Sequence, residues 1–182
     1  MNKEMMEVFT LGKDGNRVST GQFVERGTQV SEGYYVVGVN NWIVTSGGKI
    51  LVQKRANTKK DNPGKWSSTN GLKIPGEKSI DTVIRETREE LGINIDPNNI
   101  NFLGSRVAGK NLIVDVFISK IDIDISKIEI QEEEVEEIRV VTREELLDLD
   151  FSTTCQYVKE IINLLFEQQH NYPKSKIKNT NF

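Results

Sequence analysis

Apolar and polar positions follow two different periods along this chain, and the periods divide it into elements. From Lys78 to Leu91 the period is helical. At about 100° of rotation per residue, Ile80, Val83, Ile84, Thr87 and Leu91 fall on one stripe. Such a stripe marks a surface helix with one face in a core, and Gly92 follows where a helix C-cap is expected. Upstream, "YYVVGVNNWIVT" (34–45) and "KILVQKR" (49–55) are β-branched and aromatic, with Ser46, Gly47 and Gly48 between them. They predict a buried hairpin. "EVFTLGKDGNRVSTGQFVERG" holds Asp14-Gly15 between two extended runs, which predicts a small N-terminal hairpin within residues 1–30. "ANTKKDNPGKW" reads as a polar loop with a Pro63-Gly64 turn.

Beyond the helix, "NFLGSRVAG" and "NLIVDVFISKIDI" predict two further strands, and "EEIRVV" another. Asp122 and Asp124 alternate with Ile121, Ile123 and Ile125, which fits a strand with one wet face better than a calcium loop. Thr142 and Glu145 make a capping box for "REELLDL". A last helix is expected over Thr153 to Gln169, with Tyr157, Ile161, Leu164 and Leu165 on one face. The polar tail 171–182 is expected to fray. Strands before and after the first helix, with a second long helix at the end, predict one α/β domain over residues 1–182, a mixed sheet packed between helices.

Composition narrows the function without naming it. The chain has 182 residues, 36% hydrophobic and 28% charged, with a formal net charge of -3. That length suits one domain with a sizeable core. The balance argues against a general nucleic-acid binder, which is usually basic, and no apolar run approaches a membrane span. The start "MNKEMMEVFT" is charged early, so no signal peptide is expected. One cysteine, Cys155, excludes an internal disulfide and fits a reducing, cytoplasmic location. One histidine, His170, leaves oxygen ligands as the donors for any metal. Neither Cys155 nor His170 has a partner visible in the sequence, and neither is assigned chemistry.

The helix carries an unusual charge pattern. Glu86, Glu89 and Glu90 fall together on the flank of the apolar stripe, with Glu77 and Asp81 ahead of them. Like charges three and four residues apart cost a helix a few tenths of a kcal/mol per pair. A divalent cation turns that repulsion into coordination.

Here the sequence resembles the Nudix family. Gly71, five residues, Glu77, seven residues, Arg85-Glu86, two residues, Glu89-Glu90, one residue, Gly92 and Ile93 reproduce the spacing of the Nudix box over 23 residues. Thr87 departs from the aliphatic residue usual there, and a packing adjustment is expected. The resemblance implies a Nudix α/β/α sandwich and a hydrolase that cleaves a diphosphate linkage with Mg2+ or Mn2+. It implies Glu86, Glu89 and Glu90 as metal ligands, with a backbone carbonyl at Asn70 or Gly71. It implies Arg85 and Glu77 as the groups orienting those carboxylates, and Glu86 as a candidate general base. Hard oxygen ligands suit such a cation, which can neutralise phosphate oxygens and activate water.

"ILVQKRANTKKDNPGKW" resembles more narrowly the branch that includes isopentenyl-diphosphate isomerase, in which residues matching Arg55 and Lys59 contact the diphosphate. A surface charge pair at a strand end is the other reading of those two. The isomerase needs a cysteine just before the box glycine and a histidine two positions beyond it, where this chain has Asn70 and Leu72. Two alternatives therefore stand beside the hydrolase: an isomerase and a non-catalytic nucleotide-binding sensor. "QEEEVEEI" (131–138) either adds a carboxylate to the site or forms a solvated turn. Trp42 and Trp66 either stack on a base or sugar or pack in the core, the commoner fate. The expected partner is a small-molecule diphosphate, with no nucleic acid and no membrane, and a homodimer is the assembly to test.

Overall fold

A computed structural model describes residues 4–155, 157, 158 and 160. The chain opens with a two-stranded antiparallel sheet, β1 (Met5–Leu11) and β2 (Arg17–Glu25), turning at Gly15 as Asp14-Gly15 predicts. The main sheet comprises β3 (Val36–Val44), β4 (Ile50–Arg55), β5 (Trp66–Ser67), β6 (Thr69–Leu72), β7 (Ile100–Ala108), β8 (Leu112–Lys120) and β9 (Val135–Val141). Helices α1 (Ser79–Leu91) and α2 (Arg143–Leu147) complete the named elements. The sheet runs β5-β4-β3-β8-β7, with β6 on β3 and β9 on β4. It is mixed because β3 and β8 run parallel from Val36↔Leu112 to Val44↔Lys120, while its other pairs are antiparallel.

Parallel strands covered on both faces read as unbroken apolar runs, and β3 is buried from Val37 to Val44. Its neighbours alternate between two cores. Trp42, Val44, Val52, Val114 and Ile118 point to one. Val39, Ile43, Leu51 and Phe117 point to the other, where Val83 and Leu91 of α1 close over them. Burying side chains of this size stabilises by roughly 1.5–3 kcal/mol each. The helix starts at the Lys78 cap and stops at Gly92, which takes the left-handed conformation at φ 66°.

Four expectations change. The β3–β4 hairpin is paired only at Ile43↔Leu51 and Val44↔Ile50, because β6 takes Gly38–Asn41 of β3 and β9 takes most of β4. Strands β5 and β6 begin at Trp66, the last residue of the predicted polar loop, and no strand was expected between that loop and the helix; "WSSTNGL" lacks the apolar alternation that would mark them. The strand expected to reach Ile123 ends at Lys120, because β3 ends at Val44 and the last bond to it comes from Ile121 N, at 3.1 Å. Asp122 instead accepts from Ser46 N at 2.9 Å, and Asp124 caps the turn Ile125–Lys127. At the far end, Thr153–Cys155 form a short 3-10 turn. Most of the predicted last helix, His170 and the tail 171–182 lie outside the described residues.

Besides the Lys73–Glu7 ion pair at 3.7 Å, two sets of hydrogen bonds tie the N-terminal hairpin to the main sheet. Phe9 and Tyr35 exchange backbone hydrogen bonds of 2.8 Å. The second is Asp115 of β8, wholly buried, which accepts from Arg17 Nη1 at 2.8 Å, Ser79 Oγ at 2.5 Å and Ser105 Oγ at 2.5 Å. A buried carboxylate needs such partners, and here they come from the hairpin, the start of α1 and β7.

Candidate active site

The three glutamates of α1 sit within five residues of one another in three different surroundings. Glu90 lies seven positions after Val83 and three after Thr87, so it turns under the helix with the apolar stripe and is only 4% exposed. The expectation of a shared flank is corrected for this residue. Its Oε2 accepts from Gln53 Nε2 at 2.6 Å. Glu86 folds over Gly71: a Cβ there would stand 1.9 Å from Glu86 Cδ, so glycine is what leaves the carboxylate room. Glu89 is open to solvent, its side chain 46% exposed.

Arg85 organises two of them. Its Nη1 donates to Glu86 Oε1 at 2.7 Å and Glu89 Oε2 at 3.1 Å. Its Nε and Nη2 grip both oxygens of Glu77, at 2.8 and 3.2 Å, and Nη2 also reaches the carbonyl of Leu72. Burial works against the charge on Arg85, but Glu77 and Glu86 outweigh it and hold its pKa up. Burial would likewise raise Glu77, yet the bonds from Arg85 and Thr82 keep it below its ordinary value. For Glu86 and Glu90 burial wins, pushing them up to about 7 and about 8. Thr87 is wholly buried, with Asn41 Nδ2 at 3.4 Å from its hydroxyl. A polar neighbour in the sheet explains why threonine replaces an aliphatic residue.

These groups face a cavity of about 280 Å3. Asn70 and Gly71 form one wall and Arg55, at the end of β4, another. Gln131 and Glu134 come from the turn before β9, fixed by Gln131 N on the Glu90 carbonyl at 3.0 Å. Glu4 and Arg26 come from the N-terminal hairpin. Arg26 Nη1 donates to Glu4 Oε2 at 2.7 Å. Burial opposes the Arg26 charge, but Glu4, Glu134 and Glu86 together hold its pKa up. Nothing local in the sequence marks Arg26, since its place depends on how the hairpin docks.

Other candidates separate. Arg55 borders the cavity, its Nε bonded to the Asp61 carbonyl at 3.1 Å, whereas Lys59 Nζ is paired with Glu134 Oε1 at 2.6 Å. Of the acidic run, Glu132 and Glu133 are exposed and Glu134 turns inward. Trp42 and Trp66 are buried in the core, with the Arg139 guanidinium 4.7 Å from the centre of the Trp66 ring. Cys155, also buried, has the Asn40 amide nitrogen 3.2 Å from its sulfur. A larger cavity of about 550 Å3 lies between residues 29–35 and Lys110 and Asn111, with Glu32 as its one acidic wall. Chemistry, not size, selects the smaller one.

Among the described residues, no three side chains of His, Cys, Asp or Glu stand close enough to enclose one ion as placed. Arg85 draws Glu86 and Glu89 to itself, and Gln53 holds Glu90. The donors nevertheless suit a hard divalent cation. All are oxygens, and Glu90 is a buried carboxyl whose hydrogen-bond partner, a neutral amide, brings no opposite charge, so a cation would favour its ionised form. Gly71 keeps clear the space over which Glu86 lies.

The family model described as NUDIX domain matches residues 34–158. An uncharacterized Nudix hydrolase of Listeria monocytogenes is 35% identical over 132 residues, covering 72% of this chain and 78% of that protein. The isopentenyl-diphosphate Delta-isomerase of Cutibacterium acnes is 28% identical over 154 residues, covering 78% of this chain and 76% of that enzyme. Among solved structures, DR0079 from Deinococcus radiodurans covers 90% of this chain and 99% of its own length with a TM-score of 0.68. At 18% identity that is a likeness of fold.

Proposed function

The chain belongs to the Nudix family, and from that premise we propose that it hydrolyses a diphosphate linkage in a nucleoside diphosphate derivative or similar small molecule, using Mg2+ or Mn2+. The observation that carries this is the placing of Glu86, Glu89 and Glu90 in one cavity with Arg26, Arg55 and Arg85. Acids alone suit a cation and bases alone suit an anion; the two together suit a cation-bound diphosphate.

In this reading Glu86, Glu89 and Glu90 hold the cation, with the backbone carbonyl of Asn70 or Gly71. When bound, Mg2+ or Mn2+ neutralises charge on the diphosphate and lowers the pKa of water. Arg55 and Arg26 bind phosphate oxygens through planar guanidinium groups. Arg85 and Glu77 keep Glu86 and Glu89 in place. Glu134, paired with Lys59, takes the proton from the attacking water; Glu86 is the alternative base. Water adds to one phosphorus, the bridging P–O bond breaks, and two phosphorylated products or one with orthophosphate leave.

The isomerase of Cutibacterium acnes favours a second reading. Against it, Asn70 and Leu72 stand where that chemistry needs a thiol and an imidazole, and the Asn70 amide is bonded to the Ser68 carbonyl at 2.9 Å. A Mg2+-dependent screen of nucleotide sugars, dinucleoside polyphosphates, nucleoside triphosphates and prenyl diphosphates separates the readings. Cation-dependent phosphate release supports hydrolysis. An isomerised prenyl product supports the second reading, and binding without turnover makes the chain a sensor.

A further inference from the structure

Gln53 is in an unlikely place for an amide. It lies on β4 between Ser67 of β5 and Ile138 of β9, 2% exposed, on the face that Leu51 presents to α1. An amide buried there is costly unless both ends are bonded. Both are. Thr69 Oγ1 donates to Gln53 Oε1 at 3.3 Å, and Gln53 Nε2 donates to Glu90 Oε2 at 2.6 Å. Thr69 is itself buried. With the amide this way round, its nitrogen faces the carboxylate that a cation requires and its oxygen takes the Thr69 hydroxyl; turned over, it would set its carbonyl oxygen against that ionised carboxylate.

We infer that Thr69 and Gln53 form a buried relay that sets the Glu90 carboxylate, and that Gln53 is a positioning residue for the cation site. The inference rests on reading Glu90 as a cation ligand. With Oε2 tied to Gln53, the carboxylate has one orientation, and Oε1 is the oxygen left for the cavity that Glu90 lines. Strand β4 is hydrogen-bonded on both sides, so the amide is anchored on a part of the sheet that cannot shift to follow a moving side chain. A second amide does similar work one turn earlier. Ser119 Oγ donates to Asn41 Oδ1 at 2.7 Å, and Asn41 Nδ2 meets the Thr87 hydroxyl. That pair indexes the helix to the sheet, while Gln53 alone touches a carboxylate of the site.

Calorimetric titration with Mn2+ alone tests this on the wild type and on Gln53→Met, Thr69→Val, Thr69→Ser and Glu90→Gln, each first checked for a cooperative melt. Removing a group that orients a metal ligand typically costs about ten- to hundredfold in affinity, and Gln53→Met is expected in that range. Thr69→Val, nearly isosteric but without a hydroxyl, is expected to weaken Mn2+ binding in the same direction. Thr69→Ser restores the hydroxyl and is expected to restore binding, which a packing role for Thr69 would not do. With a hydrolysed substrate, Gln53→Met lowers kcat while KM barely moves. Wild-type Mn2+ affinity in Gln53→Met overturns the relay if Glu90→Gln still loses binding. Should Gln53→Met fail to fold, equal Mn2+ affinities in Thr69→Val and wild type overturn it. If Glu90→Gln binds Mn2+ as the wild type does, the ligand reading falls instead.

Discussion

Lys59 Nζ and Glu134 Oε1 stand 2.6 Å apart at the rim of the cavity, so the lysine matched to a phosphate contact is committed to an acid. Glu134 thereby separates itself from Glu132 and Glu133, which face solvent.

Glu134→Gln is expected to lower kcat by about 10² to 10⁴, the range for losing a general base, with KM and Mn2+ affinity little changed. The same changes at Glu132 and Glu133 are expected to be silent. Steady-state kinetics on the three variants decide it, and a wild-type kcat for Glu134→Gln moves the base to Glu86.

The basic walls of the cavity should act on substrate, not on the cation. Arg55→Lys and Arg26→Gln each remove a hydrogen bond to a charged group, worth about 1.5–3 kcal/mol, and are expected to raise KM or lower kcat/KM roughly tenfold or more. Mn2+ titrations should not change. Unaltered kinetics in both variants would make the two arginines partners of Glu4 and the Asp61 carbonyl only.

Stability of the cation-free protein should fall as pH rises. Glu90 has the ordinary value of 4.5 in the unfolded chain and is pushed up to about 8 in the folded one, because burial, with the charges of Glu86 and Glu134, outweighs the Gln53 hydrogen bond and Arg55. Between those values the folded state keeps a proton that the unfolded state has lost, so its contribution is complete below pH 4.5 and gone above about 8. Glu86, at about 7, adds to the same slope. Melting temperatures in EDTA should therefore decline from pH 5 to 8, Mg2+ should recover more at pH 8 than at pH 6, and Glu90→Gln should flatten the slope. A flat wild-type profile would refute the burial argument.

Gly71→Ala isolates the space over which Glu86 lies. The backbone at Gly71 is not among the positive-φ glycines, so alanine is tolerated there and only the clash with Glu86 remains. Overpacking of this kind costs about 1–3 kcal/mol and is relieved by Glu86 swinging out. A small loss of melting temperature with a large loss of Mn2+ binding is expected; unchanged binding would show that Glu86 has room to spare.

What the sequence disclosed depended on whether a feature was local. Helix α1, its Gly92 stop and the N-terminal hairpin were legible because periodicity and turn residues act over a few positions. That Arg85 and Glu77 accompany the carboxylates was legible only through the family resemblance of the box, and Arg85 stands bonded to Glu77, Glu86 and Glu89. Glu90 was expected on the flank with Glu86 and Glu89, while its phase along the helix, seven after Val83 and three after Thr87, turns it under with the buried residues. Arg26 and Gln53 were not legible at all. One reaches the cavity through docking of a separate sheet, the other through a strand whose partner β5 is two residues long, and neither relation leaves a local pattern.

Parallel pairing of β3 with β8 also has a consequence for how the chain assembles. Val36 and Leu112 are neighbours in the sheet, and β4, already paired with β3 and β5, gains its long partner only when β9 arrives. Such distant pairings carry a loop-closure cost before any contact rewards it, and they slow folding relative to local hairpins. A nascent chain holds α1 and the strands β3, β4 and β6 on which it packs before β8, whose Phe117 completes the same core, exists. The cavity draws on residues from Glu4 to Glu134, so it closes only after the first hairpin and the last strand have both found their places. In the proposed reading a divalent cation meets the cavity only once it is complete, so Mn2+ binding is expected to appear last in refolding experiments.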